Sequence, residues 1–565
     1  MSSRNQAGGV APFQVDGAAK PDEGFPRRRF LALGGGALAT IAGGSLLSAC
    51  SGSASDGATK KASDTLTVGV FQEPDTLDPN ATGLALSSLI ASAIFDPLVW
   101  WLPAADGKKE FSPGLASSYE VSADAKTYTF KLRQDVMFHD GTKFNAEAVK
   151  ATLEHITDPA TKSRSALGSL GPYKETKVVD EYTAQVIFSE PNAAFVHEMT
   201  TVIFGISSPT ALKKYGPTGF GNNPVGTGPF KFVSYATQDR VSLVRNPDYM
   251  WGPAAFGSPG PAKLSSLTFR ILPDTNTRYS ALRAGQVDMA MNLEPTKIEA
   301  VKKSASLTHI NAPSTGQPYG YPINVDKAPT NELPVRQAIL YAVDQDKMNQ
   351  TVLAGAYEPA HNVLTPTTPG YSKDAASLYP YNPEKAKSLL EDAGWKAGPD
   401  GARAKGGTPL HLDILIQTSN GFELPTQYIV NQLKAVGFSA TTTAQPFLTA
   451  AASYNKGVQN LSAIFYYDVD PYLLHGLTAC NAIAAGFNWG HYCDPTVDNA
   501  IIQANSTVDE ASRTAQYEKV TNTLMQNATF LPLYNVSGVF SAVKNLSGLH
   551  FGATGYALFH TAQLT

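Results

Sequence analysis

Hydrophobic and polar positions alternate most legibly between Pro113 and Ile156. Tyr128, Phe130 and Leu132 interleave with Thr129, Lys131 and Arg133, the period of two expected of a strand with one buried face. Asp140-Gly141 predicts a tight turn, because glycine tolerates the positive φ such a turn needs. Asn145 predicts a helix cap, with Glu147 favourable in the first turn. Val149, Thr152, Leu153 and Ile156 then mark one helical face. An acid–base role for His139-Asp140 is weighed against a structural one. Adjacent residues on a strand or turn usually point apart, and no nucleophile lies nearby in sequence, so the structural role is favoured.

The same reading extends along the chain. Thr65–Phe71 and Glu181–Phe188 alternate as strands, Ala85–Phe95 predicts a helix, and Val241–Tyr249 and Leu267–Pro273 supply further strands. The glycine-rich stretch Asn223–Phe232 lacks the Lys-Ser/Thr of a phosphate loop, and Pro224 and Pro229 frame a bend instead. A helix starts at Pro334 with Val335, Ile339 and Ala342 on one face, proline being favourable at a first helical position. Asn382, Pro383 and Glu384 open another, whose stripe is Ala386, Leu389, Leu390 and Ala393 and whose end is Gly394. His411–Thr418, a helix through Ile429, Leu433 and Val436 ending at Gly437, and a strand from Phe438 give β-α-β order. Arg513–Asn527 is the last helix, and Phe530–Tyr534 turns the chain back toward its first part.

A length of 565 residues predicts more than one domain or one large composite, and 43% hydrophobic with 16% charged residues describes a folded globular chain. A net charge of −4 without a basic patch argues against nucleic-acid binding. Arg27-Arg28-Arg29 precede Phe30-Leu31 and an apolar, glycine-broken run that ends at Leu47-Ser48-Ala49-Cys50. A positive region, an apolar core and a small-residue cleavage site predict a signal peptide over 1–49. The arginine pair resembles a twin-arginine export signal. The residues before Cys50 resemble a bacterial lipobox, which would lipidate Cys50. A transmembrane anchor is the competing reading, and the run is short and glycine-broken for one. Residues 50–63, rich in Ser, Gly, Ala and Lys, read as a flexible tether. Export places Cys480 and Cys493 in an oxidising compartment at the ends of a short loop, which predicts a disulfide. A metal site joining them to His475 and His491 matches no common zinc spacing.

Several of these segments also carry a family likeness. Leu115–Ser122, Tyr128–Thr142 and Asn145–Val149, then Asn223–Phe230, then Asp274, Arg278, Ala281, Leu282 and Gly285–Asp288, then Val335–Asp344 and Tyr381–Trp395, resemble, in order, the extracytoplasmic solute-binding proteins of family 5. These are the peptide- and nickel-binding receptors of ABC importers. The resemblance implies an α/β, two-lobed periplasmic-binding-protein-like fold (type II, cluster C) with an extra sub-domain in the first lobe. It implies a first-lobe segment over 64–93, the sub-domain over 94–222, and a second first-lobe segment over 223–312. The second lobe follows over 313–537, and 538–565 returns to the first.

Peptide-binding members hold the ligand's α-ammonium group with an aspartate after a hydrophobic strand. Ala463–Pro471 is the matching stretch, so Asp468 is the candidate, with Asp470 as the fallback. The stretch lacks the usual Gly-Trp and is one residue shorter before Asp-Pro, and a plain turn before Pro471 is the competing reading. Gln417–Asn420 stands where some peptide binders carry an arginine for the ligand carboxylate. Thr418 and Asn420 are candidate ligand contacts there, and the missing arginine favours longer peptides or another solute over dipeptides. Phe71, Tyr321 and Tyr467 are candidate aromatic walls or core. The expected protein is a monomeric non-enzyme with neither cofactor nor metal. It is exported and lipid-anchored at the outer face of the cytoplasmic membrane, capturing peptides for an ABC permease and ATPase. Nickel, haem or a sugar is the alternative solute. A secreted hydrolase lacks His-Glu-x-x-His and Gly-x-Ser-x-Gly, and a cell-surface structural protein would be expected to show repeats.

Overall fold

The computed structural model describes residues 64–103, 109–257, 260–418, 421–484 and 486–565. The expected signal peptide and tether, with Cys50, lie outside them. Among the described residues no helix is long and apolar enough to cross a membrane.

Thr65–Val70 forms the middle of a seven-stranded sheet, with Leu66, Val68 and Val70 buried. Ser266–Ile271 and Met289–Met291 flank it in parallel, a pairing that places residues 201 and 221 apart in sequence side by side. Arg240–Arg245 and Phe230–Ala236 extend one edge, and Ser537–Val543 with Leu307–Pro313 the other. This sheet, with the helix Ala85–Ala91, encloses the first lobe's core.

The alternating stretch folds onto a second core of this lobe. Ala116–Val121, Thr127–Leu132, Thr183–Phe188 and Tyr173–Asp180 form an antiparallel sheet in that order. Tyr128, Phe130 and Leu132 pack against Val149, Leu153 and Ile156 of the helix Ala146–Thr157. Asn145 Oδ1 accepts from Glu147 N at 3.1 Å, and Gly141 takes φ 83° in the turn. His139 and Asp140 point apart, as neighbours do. His139 Nε2 meets Gly228 O at 2.9 Å, while Asp140 accepts from Ser208 Oγ at 2.6 Å. Desolvation of the imidazole pushes its pKa down to about 4, so the ring is neutral at physiological pH.

The glycines of Asn223–Phe232 serve close approach as well as the bend. A Cβ on Gly226 would stand 2.2 Å from Ile94 O, and one on Gly228 2.6 Å from Ile94 C. That contact shortens the first helix relative to the sequence pattern. Ile94 O and Ala93 O accept from Gly228 N and Phe230 N at 2.8 and 2.9 Å, so the helix ends at Ala91 rather than Phe95.

In the second lobe His411–Gln417 pairs in parallel with Ser439–Gln445 across the helix Glu423–Ala435, giving the expected β-α-β unit. Asn382 caps the helix Pro383–Asp392 through Lys385 N at 2.9 Å, and Gly394 follows at φ 88°. Ala386 and Leu390 are its fully buried positions, while Leu389 and Ala393 are half-buried. Cys480 and Cys493 are joined by a disulfide. A second, antiparallel sheet places Gly316–Pro322 between Ile464–Tyr467 and Phe530–Tyr534.

The chain passes between the lobes at 314–315 and 535–536, where Ser314 N donates to Val536 O at 3.3 Å. Thr365 Oγ1 donates to Ser314 O, and Gly316 N donates to Thr368 Oγ1, both at 2.8 Å. Gly316 lies at φ 122°, and a Cβ there would stand 2.0 Å from Tyr466 O. Backbone conformation and space both require glycine at this crossing. Gly316→Ala is therefore expected to cost at least about 3 kcal/mol in a denaturant titration. An unchanged midpoint would show that the crossing yields freely.

Candidate functional site

The strand Ile464–Tyr467 ends at Asp468, whose N–H continues the ladder to Thr315 O at 3.4 Å. Gln317 stands opposite Tyr466 and Gly316 opposite Tyr467. Alternation then puts Tyr466, Asp468 and Gln317 on one face and Phe465 and Tyr467 on the other. Tyr319 stacks on Phe465 and Tyr534 with ring centroids 4.1 and 4.4 Å apart, and Tyr467 stands edge-on to Phe465. Tyr466 leans on Phe487 instead. Tyr467 and Asp468 thus serve opposite faces of the sheet.

Asp470 is spoken for within the protein. Its carboxylate takes both guanidinium nitrogens of Arg513, Nη1 and Nη2, at 2.7 and 2.6 Å, with each side chain only 1% exposed. His197, on the first-lobe helix Phe195–Glu198, brings Nδ1 to 3.1 Å from the same carboxylate. Burial works against ionisation of Asp470, but Arg513 and His197 outweigh it and hold the carboxyl well below the usual range. The fallback candidate for an ammonium partner is therefore excluded by its own salt bridge. It is a structural ion at the junction of the lobes. Trp101 and Phe111 stand edge-on to the His197 ring, both at 4.8 Å. Ala193 N and Ala194 N donate across the same junction to Asn505 O and Oδ1 at 2.8 and 3.0 Å.

Asp468 meets a different environment. Its carboxyl lies within hydrogen-bonding reach of the Glu198 carboxyl, and no cationic side chain pairs with either among the described residues. Burial, with the nearby Asp470 charge, pushes the Asp468 carboxyl up. Burial and the two aspartates push Glu198 up as well. Two carboxyls this close favour a state in which one of them keeps its proton.

The other sequence candidates are scattered. Tyr321 is fully buried in the second-lobe core, its hydroxyl 2.6 Å from Thr426 Oγ1 and its ring against Phe422. The helix Glu423–Ala435 covers that face, so Tyr321 walls no cleft. Phe71 is half-buried against the first-lobe core. Thr418 is exposed, with its N–H donated to Gln445 O at 2.9 Å, and Asn420 lies outside the described residues. Glu198, His197 and Arg513 escaped the sequence reading. The one local signal was a charged pair inside the apolar run Phe195–Met199.

The sequence profile described as "Bacterial extracellular solute-binding proteins, family 5 Middle" matches residues 110–483. The glutathione-binding protein GsiB of Escherichia coli (strain K12) is 30% identical over 498 residues, which covers 86% of this chain and 91% of that protein. NikA from Brucella suis, solved in complex with Fe(III)-EDTA, superposes with a TM-score of 0.77 at 25% identity, covering 89% of this chain and all of that one. HbpA2 from Haemophilus parasuis gives 0.74 at 25% identity with the same coverage.

The two aspartates should respond oppositely to mutation. Arg513→Met strands the Asp470 carboxylate and is expected to cost about 3–5 kcal/mol, whereas Asp468→Asn should cost little. The pH signs differ too. The depressed Asp470 pKa gives stability present above the unfolded value of about 4 and lost as pH falls through the folded one. The raised Asp468 and Glu198 pKa values remove stability as pH climbs from about 4 through their folded values. Thermal melts at about pH 5 and about pH 8 should show a fall that Asp468→Asn flattens. A steeper fall in that variant would reverse the assignment.

Proposed function

This chain belongs to the bacterial extracellular solute-binding proteins of family 5, and on that premise we propose that it captures peptides for an ABC importer. Family members bind a small solute outside the cytoplasm and work with a membrane permease and its ATPase. In the proposed cycle a peptide enters between the two lobes, and their closure removes water from its polar groups. Its hydrogen bonds and charges gain strength as the local dielectric falls.

The observation that carries this reading is the contrast between two aspartates two residues apart. Asp470 has an internal cation, Arg513, whereas Asp468 stands at the lobe junction without one among the described residues. A carboxyl in that position suits an α-ammonium group supplied by the ligand. The relatives named for glutathione bind a molecule that itself carries a free α-ammonium group, which supports the same class of ligand. No arginine stands within Gln417–Asn420, so that strand end offers no positive charge to a dipeptide's carboxylate, and a longer peptide fits better. Tyr467, on the face away from Asp468 with Tyr319 and Tyr534, can meet only parts of a ligand remote from its amino terminus. In this reading Cys50 carries the lipid, residues 50–63 form the tether, and the protein works as a monomer at the outer face of the membrane.

Purified protein offered a tryptic casein digest should retain intact peptides with free amino termini, identified by mass spectrometry after gel filtration. Asp468→Ala should weaken their binding at least about tenfold. Retention of no peptide, equal affinity in the variant, or hydrolysis of the peptides would each overturn the reading.

A further inference from the structure

Glu198 has no place in the sequence pattern of the ligand site, yet it faces Asp468 from the other lobe. It ends the helix Phe195–Glu198, and its carbonyl accepts from Thr201 N and Oγ1 at 3.0 and 2.8 Å, which fixes its backbone. Only 6% of the residue is exposed. Its carboxyl is satisfied by Asp468 and by the Ser169 hydroxyl. A hydrogen bond between a carboxylic acid and a carboxylate holds one proton and carries one negative charge, the state favoured when two close carboxyls ionise singly. The other groups facing the pair are committed. Arg513 gives both Nη atoms to Asp470, His197 lies between Asp470 and Glu510, and Tyr466 is a phenol.

The neighbouring strand places a further acceptor on the face of Asp468. Gln317 is 3% exposed, and its Oε1 has no hydrogen-bond partner. It stands opposite Tyr466, hence on the same face as Asp468 and one diagonal step away. The cavity of about 20 Å³ that Gln317 lines with Phe487 and Asn488 is bordered by neither Asp468 nor Glu198, so the strand register is what sets Gln317 beside the pair. Buried acceptors are rarely left without a donor.

We propose that Glu198 from the first lobe and Asp468 from the second jointly seat the ligand's ammonium group, with Gln317 Oε1 as a third acceptor. Three N–H bonds of a primary ammonium match three acceptors. The exchange balances: the shared proton leaves to solvent, the ammonium takes its place, and the site keeps one net negative charge. Because each lobe owns one carboxylate, the cation gains its second partner only when the lobes meet. Ligand binding and closure are thereby one event. This inference rests on the peptide reading of Asp468 and adds to it the second carboxylate and the proton exchange.

The test uses the full chain, the casein digest and the same digest after N-acetylation. Wild type should retain free-amino peptides and discriminate against acetylated ones. Calorimetry of a retained peptide near neutral pH, in two buffers of different ionisation enthalpy, should show release of close to one proton. Glu198→Gln should weaken free-amino peptides at least about tenfold, abolish the proton release, and leave acetylated peptides as poorly bound as before. Undiminished binding with undiminished proton release in Glu198→Gln would overturn the two-lobed seat. So would the absence of proton release in wild type, a result that needs no variant to fold. If Asp468→Asn also binds normally, or acetylated peptides are retained equally, the peptide-ammonium reading of Asp468 falls with it. If only Glu198→Gln is silent, that reading stands.

Discussion

A carboxylate removed from water costs several kcal/mol unless a cation or a proton neutralises it, and the turn after Tyr467 meets that constraint twice within three residues. Asp470 is neutralised by Arg513 and approached by His197. Asp468 and Glu198 have no cation among the described residues, and in the proposed seat they hold one proton and one negative charge between them. The first solution is permanent, because the guanidinium belongs to the same lobe and makes two bonds. The second is exchangeable, because a proton can be traded for a ligand's cation. Hydrogen bonding ties the two together, since Asp470 N donates to Asp468 Oδ1 at 3.0 Å. The structural pair thus holds the exchangeable carboxyl in place.

The remainder of the architecture brings these groups to one plane. Two chain crossings, near 314–315 and 535–536, join the lobes, and Gly316 lets the first pass within contact of Tyr466. The first lobe's added sub-domain delivers His197, Glu198 and the backbone of Ala193 and Ala194 to the second lobe. Parting the lobes exposes a set of polar groups that would each have to find water. Closure therefore has its own internal partners, and in the proposed seat the ligand's cation adds to them.

Much of the fold was legible from local pattern. The strand through Tyr128, Phe130 and Leu132, the Asn145 and Asn382 caps and the β-α-β unit after His411 all depend on neighbours within a few positions. The first helix was read too long because its terminator, Gly228, arrives from more than 130 residues away. The site was less legible for the same reason. Asp468 and Asp470 look alike in the chain, and Arg513, 43 positions on from Asp470, distinguishes them. Tyr321 looked like Tyr467 until a bulge and a covering helix sent it into the core. Glu198 sits 270 positions before Asp468, and nothing in its surroundings marks it beyond a charge in an apolar run.

A crystal structure of the protein with the peptide it retains would test the joint seat most directly. The expected result is the peptide's terminal nitrogen within hydrogen-bond distance of both the Asp468 and the Glu198 carboxylates, with Arg513 still on Asp470. A peptide whose amino terminus lies elsewhere, with the two carboxyls still bonded to each other, would contradict it.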